Sequence, residues 1–268
     1  MPAAIRDSNP ASLHASLEPE FPFSAQDFER VRQLIHDHAG IHLHAGKQAM
    51  VYSRLSRRLR ETGHRSFADY LGWLQRCGDG AAHAEWQQFV NGLTTNLTSF
   101  FREKHHFECL AQDLRDRQGR DLRIWCAAAS TGEEAYSIAM VVDETLGRQA
   151  RAQIVASDID TTVLATAQRG IYDANSRGLS PERLRRHFLR GKGANEGRIR
   201  VRTSLAQRVQ FRRLNLMGPR WDLGGPFDIV FCRNVMIYFD ASTQRRVLER
   251  LHATLVPEGV LYVGHSEN

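Results

Sequence analysis

From about residue 120 the chain alternates short β-rich runs with amphipathic helical patterns. LRIWCA precedes a helical stretch at 133–146, AQIVASD one at 161–169, FDIVFCR one at 240–254, and GVLYVG closes the series. Parallel strands need long crossovers, and helices supply them, so this alternation predicts βαβ units and a sheet covered on both faces. The expected fold class is therefore α/β, a doubly wound Rossmann-like sheet. One stretch departs from the rule. In GRIRVRTSLAQRVQFRR, residues 197–213, two runs alternate apolar and basic side chains. That is the pattern of a half-buried antiparallel pair, and it predicts a small β-subdomain inserted at about 190–212.

Upstream the period changes from two to 3.6. Ser24 can cap a helix that runs through Phe28, Val31, Leu34 and Ile35 to Gly40. Lys47–Thr62 is a second helix, stopped by Gly63, with Val51, Leu55 and Leu59 on its apolar side and Arg54, Arg57, Arg58 and Arg60 on the other. Residues 66–76 and 81–93 give two more. The expected organisation is a Pro-, Ser- and Ala-rich disordered lead-in at 1–23, an all-helical domain at 24–94, and the main domain at 95–268. The chain stops at Asn268, straight after GHSEN, and a sheet of this kind is expected to add at least one more C-terminal strand.

No apolar run has bilayer-spanning length and no signal-peptide pattern opens the chain. The expectation is a cytoplasmic protein that does not insert into a membrane; nothing in the sequence demands more than a monomer. The four cysteines form no CxxC pair, so neither a zinc site nor a disulfide framework is indicated. His36, His38, His42 and His44 cluster around Gly40 without Cys or HExxH nearby, and read as a solvated helix–turn. No metal is expected.

The chemistry concentrates in RIWCAAASTGEEAYSIAM, residues 123–140. An apolar run opens into small residues, reaches Gly132 and is followed by Glu133 and Glu134. One reading is a capping box, Ser130 with Glu133 or Thr131 with Glu134. The other is a ligand cradle, since small residues admit a ligand close to backbone and strand–loop–helix turns bind nucleotides in such sheets. GxGxxG is absent, so a pyrophosphate is not the obvious guest; a cofactor carrying positive charge suits Glu133 better. Asp158 ends the second strand, 26 residues after Gly132. There it can accept from both ribose hydroxyls, or make an Asx turn before Asp160 and Thr161. A later apolar run ends in Cys232-Arg233-Asn234. In TTNLTSFFR, residues 94–102, Arg102 lies beside two Phe rings and needs a partner if it faces inward.

The formal charge of +6 is uneven: residues 183–220 hold twelve Lys and Arg against Glu196 alone. An acidic partner is implied, whether nucleic acid, acidic protein or anionic membrane. An enzyme acting on nucleic acid would suit that charge, but the strand end reads CRNV rather than the [DN]PP[YF] of base-modifying enzymes, and few rings interleave the basic residues. A cofactor-binding regulator without turnover is a second alternative.

TTNLTSFFREKHHF, IWCAAASTGEEAYSIAM, ASDID, FCRNVMIYF and VGHSEN together resemble the chemotaxis receptor methyltransferases, the CheR family, in order and spacing from about residue 24 onward. The resemblance implies S-adenosylmethionine as cofactor and glutamyl methyl esters on the cytoplasmic part of methyl-accepting chemotaxis receptors as product, with neither metal nor nucleic acid. By motif it implies that Asn96, Thr98 and Arg102 lie against the cofactor, Arg102 near the transferring methyl. Ala127 to Gly132 would form the cradle, Glu133 would meet the methionine end and Asp158 the ribose. Asn215 and Leu216 would flank the adenine, Asn234 and Val235 would line the floor, and Tyr238 would approach the substrate. Ala135 stands where many relatives have proline. Arg54, Arg57 and Arg58 are expected to meet the acidic receptor, and RGKGANEG resembles members that dock on a receptor's C-terminal pentapeptide.

Overall fold

The structure is a computed structural model and describes residues 20–76 and 81–267; most of the expected lead-in, and Cys77, lie outside them. Four helices open the chain: α1 (Ala25–Ala39), α2 (Gln48–Thr62), α3 (Phe67–Arg76) and α4 (Ala81–Leu93). Local chemistry marks several of their ends. Ser24 and Asp27 form a reciprocal capping box on α1, and Gly40 (φ 71°) and Gly63 (φ 75°) turn the chain out of α1 and α2 in the left-handed conformation that glycine adopts without a Cβ clash. The apolar stripes Phe28–Val31–Ile35 and Val51–Leu55–Leu59 meet Phe67, Tyr70, Leu71 and Phe89 in one buried core.

The second part comprises α5 (Lys104–Asp116), β1 (Leu122–Ala127), α6 (Glu133–Leu146), β2 (Ala152–Asp158), α7 (Thr161–Arg169), β3 (Ile171–Asp173), α8 (Pro181–His187), β4 (Phe188–Arg190), β5 (Arg198–Val201), α9 (Thr203–Ala206), β6 (Val209–Arg213), β7 (Phe227–Cys232), α10 (Ala241–Ala253) and β8 (Leu255–Val263). The main sheet is wholly parallel, in the order β6-β2-β1-β7-β8. The chain therefore winds outward from β1 to β6 and then crosses back to β7. That reversal leaves a crevice at the carboxyl ends of β1 and β7, the place where open α/β sheets bind ligands.

The small sheet corrects the expected antiparallel pair in 197–213. Its order is β3-β5-β4, so β5 is its middle strand, while β6 joins the main sheet parallel to β2. The insertion thus spans 171–201 rather than 190–212. Period-two alternation shows that a strand buries one face and says nothing of its neighbour; β3 and β4, three residues each, are too short to show a period.

The helical part packs on the carboxyl end of the main sheet through named polar contacts. The His42 amide donates to the Tyr238 carbonyl (2.7 Å), Asn215 Nδ2 to the His38 carbonyl (2.6 Å) and Gln87 Nε2 to the Ile159 carbonyl (2.8 Å), and His36 Nε2 lies 2.8 Å from Asp240 Oδ2. It forms one wall of the crevice.

Candidate active site

A cavity of about 320 Å³ occupies the crevice, within the range that holds a cofactor-sized ligand. Every wall comes from a different piece of chain: Ala39 and Ile41 from the helical part, 93–98 and Arg102 from the connection, then the ends of β1, β2, β6 and β7. Among the described residues, three of the six non-glycine residues at positive φ line it, Ala128, Ser130 and Asn234, and two more, Phe101 and Glu103, flank Arg102 in the chain. Left-handed backbone is held only where surrounding contacts over-determine it, and such strain gathers at functional sites.

The loop after β1 shows how. Gly132 (φ 95°) starts α6, and a Cβ there would fall 2.8 Å from the Ala167 Cβ, so glycine lets α6 pack close to α7. Neither expected capping box forms. Thr131 Oγ1 donates to Glu133 Oε2 (2.6 Å), and Ser130 Oγ donates across to the Asn96 carbonyl (2.9 Å). The Ser130 amide donates to Asp158 Oδ2 (2.8 Å) and the Asp160 amide to Asp158 Oδ1 (2.9 Å). Asp158 therefore makes the Asx turn and also lines the cavity. Burial pushes its carboxyl up to about 6, against the pull of those amides.

Asn96, Thr98, Arg102, Asp158, Asn215, Leu216, Asn234, Val235 and Tyr238 all line this one cavity. Asn96 Nδ2 donates to Asp160 Oδ2 (2.8 Å), whose other oxygen caps α7. Arg102 Nη1 donates to the Leu97 carbonyl (3.0 Å), which answers its need for a partner. Ala127 and Glu133 are not brought to the wall. Ala127 is a core residue of β1, and Ala128 and Ser130 take its place; Glu133 holds Thr131, while Glu134 faces the cavity. Neighbours on a helix point about 100° apart, so only one of the two acids can face it.

Sequence reasoning missed the charge behind the wall. Arg233 is buried and joins the two sides: Nη1 donates to Glu134 Oε2 (2.6 Å), while Nη2 donates to the Arg102 carbonyl (2.7 Å) and lies 3.2 Å from Glu103 Oε2. Burial raises the Glu134 carboxyl, an effect that Arg233 opposes. Burial works against ionised Glu103 too, but the Asn234 hydrogen bond and the Arg233 charge hold it down at about 2. Arg233 Nε is buried with no hydrogen-bond partner among the described residues. The motif CRN carried this signal, since an apolar strand that ends in Arg needs a buried acid.

The basic residues divide. Arg54 donates to the carbonyls of Leu93 and Thr94, and Arg58 pairs with buried Glu85 (2.5 Å), so these two do not form a free basic face. Arg57 is the exposed one, paired among the described residues with Glu61 alone. In 183–220, Arg183 and Arg186 pair with Glu144 and Asp143, and Arg208 donates to backbone carbonyls, while Arg190, Arg198, Arg200, Arg212 and Arg213 remain exposed. Among the described residues, proximity groups Glu103, His105 and His106 as possible metal ligands rather than the cluster at His36–His44, and Glu103 also accepts from Asn234 and the His265 amide. No helix among the described residues is long and apolar enough to cross a membrane.

Two family models match this chain: "CheR methyltransferase, SAM binding domain" over residues 96–268, and "CheR methyltransferase, all-alpha domain" over 26–94. Among its relatives are the chemotaxis protein methyltransferase of Klebsiella aerogenes, 51% identical over 99% of this chain and 90% of that one, and that of Escherichia coli, 49% identical over 96% and 89%. The chemotaxis protein methyltransferase 2 of Pseudomonas aeruginosa is 52% identical over 93% and 89%.

Proposed function

The chain belongs to the CheR methyltransferase family, and from that premise we propose that it transfers a methyl group from S-adenosylmethionine to glutamate side chains of chemoreceptor cytoplasmic domains, giving glutamyl methyl esters. The observation that carries the reading is the set of nine motif-derived residues on one cavity at the topological switch point.

The cavity suits such a cofactor. Asp158 is a buried acid at the end of β2, placed for ribose hydroxyls. Glu134 offers negative charge to a cationic ligand, and Arg233 Nε, which has no hydrogen-bond partner among the described residues, is a donor for a carboxylate group. Leu214 and Leu216 give an apolar wall beside Asn215, suited to an adenine ring. When bound, S-adenosylmethionine supplies an electrophilic methyl on a sulfonium.

The residues here then need to align and desolvate rather than move protons. A glutamate nucleophile is already anionic at neutral pH, so no general base is required. Arg102 and Tyr238, at the cavity wall, orient that carboxylate. A tight ion pair would stabilise the ground state most, because the carboxylate loses its charge as the ester forms. Arg102 avoids this by sharing its guanidinium with the Leu97 carbonyl. Asn234 and Val235 form the floor, and the wall from the helical part excludes water.

Exposed Arg57 and the basic strands β5 and β6 are proposed to meet the acidic receptor, with the small sheet available for strand addition by a receptor's C-terminal segment. The test is methyl transfer from labelled S-adenosylmethionine to a chemoreceptor cytoplasmic fragment, followed by mild alkali. Release as methanol is expected for a carboxyl ester. Alkali-stable label would move the activity to nitrogen and overturn the reading.

A further inference from the structure

Glu267, in the segment after β8, sits outside the cavity yet accepts four backbone amides. Its Oε1 accepts from Val235 (2.7 Å) and Met236 (2.7 Å), and its Oε2 from Asn234 (2.9 Å) and Gly264 (2.6 Å). Three of these donors are consecutive. They form an anion-binding concavity that opens because Asn234 takes a left-handed φ of 58°. A second carboxylate joins that loop to the segment after β8: Glu103 accepts from Asn234 Nδ2 (3.1 Å) and from the His265 amide (3.0 Å).

We propose that Glu267 is a positioning residue for the cavity floor: by filling the amide concavity of 234–236 it sets the backbone that presents Asn234 and Val235 to the cofactor. The inference rests on the reading of the cavity as an S-adenosylmethionine site. The segment itself is shaped for the task. A Cβ on Gly264 would lie 2.7 Å from Glu267 Oε2 and 2.8 Å from Asn234 Nδ2, so only glycine lets the carboxylate close on the loop. In VGHSEN, Gly264 and Glu267 are thus two parts of one device.

Two variants test it. Gln at 267 keeps the size of the side chain but turns an NH2 toward two amide donors, so a packing role would survive Glu267→Gln and an acceptor role would not. Gly264→Ala keeps the acid and blocks its seat. For both, the expected result is an S-adenosylmethionine Kd raised about tenfold by calorimetry. The KM for the receptor fragment should stay unchanged, and amide exchange should quicken in 233–239 but not in β1. The exchange is read without cofactor, so it reports on the loop even if wild-type protein failed to bind S-adenosylmethionine, which would sink the cofactor reading instead. Wild-type affinity or unchanged exchange at 233–239 in either variant would overturn the proposal, as would loss of protection spread through β1.

Discussion

Arg233 Nη1 and Glu134 Oε2 lie 2.6 Å apart behind the cavity, and the same guanidinium donates to the Arg102 carbonyl. This pair ties the strand end of β7 to the start of α6 and to the connection from the helical part. It holds one wall of the cavity to another.

Removing one member leaves the other charged and buried. Arg233→Met is therefore expected to cost about 3 kcal/mol or more of stability, read by urea unfolding. A loss below about 1 kcal/mol would mean that the ionic network does not hold the wall.

Arg102 has the opposite profile. Among the described residues its guanidinium donates to the Leu97 carbonyl, and it lines the cavity. Arg102→Ala should lower turnover about 100-fold through misplaced substrate, with unfolding unchanged. Near-normal turnover would remove Arg102 from the mechanism.

Asp158 makes the site sensitive to acid. Burial raises its carboxyl to about 6, so the folded, ligand-free protein holds this proton to higher pH than the unfolded chain does. Its contribution to stability is fully present below the unfolded value of about 4 and is lost as pH rises through about 6. Ligand affinity runs the other way, since the ionised form is the better acceptor for hydroxyls. The S-adenosylmethionine Kd should weaken as pH falls through about 6, approaching tenfold per unit. Calorimetry should find no such step in Asp158→Asn; a step of the same size there would assign it to another group.

The arginines of α2 should separate by role. Arg58→Ala strands Glu85, which is 5% exposed and also accepts from the Tyr70 hydroxyl, and should cost about 3 kcal/mol. Arg57→Ala should leave stability within about 0.5 kcal/mol while raising the KM for the receptor fragment. An unchanged KM would remove Arg57 from the proposed receptor surface.

Several features that depend on near neighbours were legible in the chain, although the two capping boxes read at 130–134 do not form. Ser24, Gly40 and Gly63 mark helix ends because caps and left-handed stops act within one turn. The apolar run 122–127, the small residues after it and Gly132 announced a strand opening into a cradle, since backbone sterics and strand burial are local matters.

Pairing across the fold was decided elsewhere. The tertiary structure chose Glu134 over Glu133 for the cavity wall, because the roll of α6 against the sheet sets which of two adjacent side chains faces inward. It took β6 into the main sheet and left β5 between β3 and β4, although both carry the same alternation. It turned Arg54 and Arg58 inward onto carbonyls and Glu85, where a helical wheel shows only a basic face. In each case the deciding partner lies tens of residues away, and only packing brings it near; short-range pattern carries the elements, and long-range burial of charge and hydrogen bonds selects how they meet.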